Sequence, residues 1–182
     1  HDNTSRALRF AEKQAPFVQN GTAVMVANNK KPLTPWAEKL GELLPIKAVI
    51  AAVEDALDHV DNPKSEITPD VFVLVMDRAE PQKILHLLVT LKSHVSTRHS
   101  QILVVQTHMN QKLGAQALDM GANDLMPHGY HPNEMALRIS ALLKRKQLND
   151  QMRATVRNGL EATVSDPLTG LHNRHYAMPH LD

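Results

Sequence analysis

The chain has 182 residues, 42% of them apolar, enough for one aliphatic core with some length left over. A formal net charge of +1 gives no global drive toward nucleic acid or an anionic membrane, and the absence of cysteine excludes disulfides and thiol catalysis and fits a reducing cytosol. No apolar run approaches the roughly 20 residues needed to span a bilayer, and no signal peptide opens the chain. The abrupt start and end read as an excised piece of a longer protein.

Residues 1–21 hold a short helical pattern, "SRALRFAEKQ", halted by Pro16, and read as a linker or the tail of a preceding domain. "AVMVAN" is then strand-like. "TPWAEKLGELL" predicts a helix capped by Thr34 with Pro35 at its first position and Ala37, Leu40 and Leu44 on one face. "IKAVIA" is a second strand, and "AVEDALDHV" sets Val53, Ala56, Leu57 and Val60 at helical spacing. The unbroken apolarity of "DVFVLVM" suits a strand buried on both faces of a parallel sheet. A helix carrying Ile84, Leu87, Leu88, Leu91 and Val95 follows, then the strand "QILVVQ", a short helix ending at Gly121, the brief strand "NDLM" and a helix from near Pro132. His86 inside the third helix reads as a core or boundary histidine.

Five strand–helix repeats require crossovers and therefore a parallel sheet: an α/β, flavodoxin-like (CheY-like) doubly wound sandwich over residues 22–145, with ligands expected at the carboxyl ends of the strands. The last helix runs on. Leu148, Met152, Val156, Leu160 and Val164 recur every four residues, and a lone amphipathic helix needs a partner for such a stripe. A coiled coil with a second copy is one answer, although the spacing is not that of a heptad.

"GANDLMPHGYHPNEMALRISALLKRK" is similar to the end of a response-regulator receiver domain. "SDPLTGLHNRHY" resembles the opening of GGDEF domains, the diguanylate cyclases, through Asp166, Leu168, Thr169, Gly170, Leu171, Asn173 and Arg174. Together they resemble the second receiver and linker of PleD-type response regulators. The resemblance implies a receiver at 22–145, a signalling linker helix at 146–165 and the truncated start of a GGDEF domain at 166–182. Magnesium and GTP would belong to the missing part of that domain, where two facing copies condense two GTP into cyclic di-GMP.

A working receiver holds a divalent metal on two carboxylates after the first strand, accepts a phosphoryl group on an Asp ending the third, and steadies it with a hydroxyl and a Lys after the fourth and fifth. Here those positions fall on Ala27, Asn28, Val75, Gln106 and His128, and Gly129 replaces the Pro after the Lys. None keeps its family residue. With no anionic cage and no nucleophile, the cleft reads as incompetent for phosphoryl transfer. Asp77, two residues past Val75, and Thr107, one past Gln106, are near misses. Asp77 would point to the same side as Val75 but would lack the metal pair and the Lys.

The remaining clusters read as ordinary surface. His172, His175 and His180, and His128 with His131, lack the converging ligands of a metal site. Lys144, Arg145 and Lys146 with Arg153 and Arg157 form a basic run without stacking aromatics, a solvated helix face rather than a nucleic-acid patch. Met120, Met126, Met135 and Met152 read as core or interface filler.

The expected function is that of a phosphorylation-incompetent adaptor in the cytoplasm, packing on another receiver in the same chain or in a homodimer. By family analogy its contact face draws on Lys112, Gln116, Asp119, Asn123, Asp124, Arg138 and Lys144. The alternatives are a receiver still phosphorylated at Asp77, a pseudo-receiver holding a small ligand near Val75, Gln106 and His128, and a DNA-binding regulator, for which no helix-turn-helix follows.

Overall fold

The computed structural model describes residues 20–62 and 68–164, with the side chains of residues 163 and 164 excepted. The N-terminal tail and the motif at 166–174 lie outside the described residues.

Five strands, β1 (Gly21–Ala27), β2 (Ile46–Ala52), β3 (Val71–Met76), β4 (Gln101–Gln106) and β5 (Asp124–Met126), alternate with α1 (Leu33–Leu43), α2 (Val53–Asp61), α3 (Pro81–Ser93), α4 (Gln111–Asp119) and α5 (Pro132–Val164). All pairings are parallel, in the order β2-β1-β3-β4-β5. The chain moves outward from β1 to β2, then crosses back to β3, so the topological switch point lies between β1 and β3. This is the flavodoxin-like receiver fold expected from the sequence.

Strand alternation divides the core into two layers. Ala23, Met25 and Ala27, Val71, Val73 and Val75, Leu103, Val105 and Met126 face α1 and α5. Val26, Phe72, Leu74, Met76, Ile102 and Val104 face α2, α3 and α4. β3 and β4 are buried at every position, as central strands covered by helices on both sides must be. α3 answers with Ile84, Leu85, Leu87, Leu88 and Leu91, and α5 with Met135, Ala136, Ile139, Leu142 and Leu143.

Three local expectations are corrected. α1 starts at Leu33 after Pro32, not at Thr34, so Pro35 sits third in the helix. The first turn has no intrahelical partners for its N–H groups, and a proline anywhere in it forfeits none. Val95 is not on the inner face of α3: the helix stops at Ser93, and Val95 is 73% exposed in the following turn. That turn is anchored instead by the Thr97 hydroxyl donating to Leu91 O (2.6 Å) and the Ser100 hydroxyl to Pro69 O (2.6 Å). His86 is exposed, on the side of α3 opposite its leucines.

The chain divides into two compact units, residues 1–146 and 147–182. In the second unit Leu148, Met152, Val156 and Leu160 are all more than half exposed. Among the described residues no helix is long and apolar enough to cross a membrane.

Candidate functional site

The carboxyl ends of β1, β3, β4 and β5 collect the five positions that the sequence singled out. Ala27 closes β1 and is buried. Val75 is the penultimate residue of β3, 3% exposed, with its side chain in the α1/α5 layer among Val73, Val105 and Met126. Gln106 closes β4 and is 1% exposed. Its alternation with Ile102 and Val104 turns it to the other layer, where its amide donates to Asn110 O (3.0 Å) above the α4 N-terminus. Val75 and Gln106 therefore point to opposite faces of the sheet. His128 is exposed in the turn after β5.

Asp77 follows β3 and is half-buried. Its Oδ1 accepts from the backbone N–H groups of Ala79 (3.1 Å) and Glu80 (3.0 Å), and its Oδ2 accepts from Asn28 Nδ2 (3.1 Å). The carboxylate thus shapes the turn into α3, which begins with Pro81 at its first position. Thr107, the other near miss, is exposed, and its N–H and hydroxyl both reach Met76 O (3.1 and 3.4 Å). A hard divalent cation beside Asn28 would meet the Asp77 carboxylate with both oxygens engaged, and the described residues form no cluster of three or more histidine or carboxylate ligands. That donor set does not fit magnesium.

A feature without a short-range sequence signal sits on the α1 side of the cleft. Trp36 of α1 and Tyr130, from the loop between β5 and α5, stack with ring centroids 4.2 Å apart and planes 6° from parallel. Both pack on the layer that holds Val75. Gly129 makes this possible: its φ of +85° is left-handed backbone that a proline, fixed near −65°, cannot adopt. Gly129, where the receiver resemblance places a proline, thus leads into Tyr130 with a left-handed turn. Burial holds the Tyr130 phenol above the usual tyrosine range, with the Lys39 ammonium partly opposing it, and among the described residues the hydroxyl has no hydrogen-bond partner.

The residues assigned to a contact face divide by their partners. Asn123 Oδ1 accepts from Ile102 N–H (2.8 Å) and Lys92 Nζ (2.9 Å), tying the α4–β5 turn to β4. Arg138 donates from one guanidinium nitrogen to both Asp124 oxygens (2.8 and 2.9 Å) and from Nε to Glu134 (2.9 Å). These acids, Asp124 foremost, hold the guanidinium pKa above its usual value. Lys112, Asp119 and Lys144 are exposed, and Gln116 is half-exposed. Replacing Arg138 with Glu should lower stability by about 1 kcal/mol, the modest value reflecting solvent screening of a one-third exposed network. Thermal unfolding measures it, and the exchange Asp124→Arg with Arg138→Glu should recover most of the loss.

No family model matches the chain. It is similar to "Response regulator PleD" of Caulobacter vibrioides, 32% identical over 114 residues, covering 63% of this chain and 25% of that protein. It is also similar to "Transcriptional regulatory protein CpxR" of Escherichia coli, 23% identical over 131 residues, covering 71% of this chain and 53% of that one. The chain thus spans a quarter to about half the length of these relatives. Among solved structures, the receiver domain of the Francisella response regulator 1452 superposes with a TM-score of 0.56 at 20% identity, covering 69% of this chain and 98% of that one.

Proposed function

Taking the receiver fold of a two-component response regulator as premise, we propose that this chain is a receiver that no longer accepts phosphate and serves as an adaptor. It offers surfaces through which the protein meets another receiver, in the same chain or in a homodimer in the cytoplasm. We further propose that the parent protein is a diguanylate cyclase whose missing domain uses magnesium and GTP. The opening motif at 166–174 and the likeness to PleD support that part. Raising the effective concentration of two half-sites is a sufficient task for such an adaptor.

The observation that carries the reading is Val75, an apolar side chain sealed into the core at the acceptor position, beside an Asp77 whose oxygens already hold the β3–α3 turn. The α4–β5–α5 face remains the contact surface by analogy. Since Asn123, Asp124 and Arg138 have partners within the domain, its contacts would rest on Lys112, Gln116, Asp119 and Lys144.

Incubating the protein with acetyl phosphate and magnesium tests this. Intact-mass spectrometry should detect no phosphoryl adduct, and Asp77→Asn should behave as wild type. An adduct that disappears in Asp77→Asn would instead establish the phosphorylated-receiver reading.

A further inference from the structure

We propose that Trp36 and Tyr130 form a latch that fixes the β5–α5 loop to α1, so that the start of α5 is held in one position without any phosphoryl chemistry. The proposal rests on the adaptor reading, and it assigns both residues a positioning role.

Three observations converge on it. The rings lie nearly parallel at 4.2 Å, one on a helix and one on the loop between β5 and α5, 94 residues apart in sequence. Gly129 adopts the left-handed backbone that presents Tyr130 to the tryptophan. On its inner side the pair rests on the same apolar layer as Ala27, Val75 and Met126, the strand ends where a switch would act. Stacking of two flat, low-entropy side chains needs no ion and no covalent event. The Tyr130 hydroxyl has no hydrogen-bond partner among the described residues; the ring itself makes the contact.

Trp36 is the only tryptophan in the chain, so its emission reports the latch directly. In the full chain, Tyr130→Ala should shift Trp36 emission to the red. It should also speed amide exchange at residues 128–131 roughly tenfold or more relative to the amides of β3 and β4. Tyr130→Phe should keep both emission and exchange near wild type, and Trp36→Leu should release the loop as Tyr130→Ala does. The latch is overturned if Tyr130→Ala leaves emission and loop exchange unchanged, if Tyr130→Phe releases the loop as fully as alanine, or if loop and strand amides accelerate together, which would mark general destabilisation. A phosphoryl adduct on Asp77 would defeat the adaptor reading while leaving these results standing, so the two fail separately.

Discussion

Val75→Asp, which puts a carboxylate at the position the receiver resemblance assigns to the phosphoacceptor, is expected to destabilise the domain by about 3–5 kcal/mol without creating a phosphoacceptor. Val75 is 3% exposed and lies in the α1/α5 layer among Val73, Val105 and Met126, which offer no hydrogen bond to a charged oxygen. An aspartate there stays ionised at a large desolvation cost or becomes protonated, and the protonated acid is a poor nucleophile. No neighbour supplies compensation: Ala27 has no polar side chain, Gln106 faces the opposite layer, and His128 is exposed in its turn. Chemical denaturation should show a lower midpoint at an unchanged slope. Raising the pH from 5 to 8 should deepen the defect, because a buried acid whose folded pKa is raised loses stability as the unfolded chain ionises first. A Val75→Asp protein that is as stable as wild type and is labelled by acetyl phosphate would show that the cleft retains more of its chemistry than its residues suggest.

The second large effect is expected in the second unit. On the proposed pairing of two copies through this helix, Met152→Glu combined with Val156→Glu should weaken that association a hundredfold or more and leave the unfolding transition of the first unit in place. The two side chains are 67% and 63% exposed, so charging them removes little burial within the single chain. In a symmetric helix pair they would be covered on both copies. Burying even part of four such side chains is worth about 3 kcal/mol or more, which is the hundredfold. Leu148, Met152, Val156 and Leu160 recur at four, and a helix turns about 100° per residue, so the stripe drifts about 40° at each step. It can face a partner for only about three turns, roughly 18 Å, so a short crossing contact is expected rather than a long coiled coil. Sedimentation equilibrium of wild type and variant measures the difference. A wild-type chain that stays monomeric up to high concentration, or a variant that associates equally well, would remove this helix from the contact.

Both predictions rest on information of different reach. The alternation of apolar strands with amphipathic helices was sufficient for the five-stranded parallel sheet, because a strand such as "VFVLVM" can be satisfied only between two helical layers, and helical crossovers admit only parallel neighbours. The residue types at the strand ends, Ala27, Asn28, Val75, Gln106 and His128, were equally legible, and their reading as lost acceptor, metal-ligand and lysine positions follows from the receiver resemblance. Extrapolated helix periodicity failed at Val95 because a period says nothing about where a helix ends. It failed at His86 because one polar residue among leucines can turn outward at no cost.

The sequence by itself thus determined the fold class and the residue types that stand at the strand ends, because both follow from residue type and local spacing. Only the tertiary structure decided how the remaining groups are used. The Asp77 carboxylate is committed to the β3–α3 turn and Asn28, Arg138 to Asp124 and Glu134, and Trp36 is stacked on Tyr130 across the α1 side of the cleft. The Asp77–Asn28, Arg138–Asp124 and Trp36–Tyr130 contacts join residues far apart in the chain, and whether such a side chain is free or occupied depends on which distant segment the packing of the two layers brings within reach.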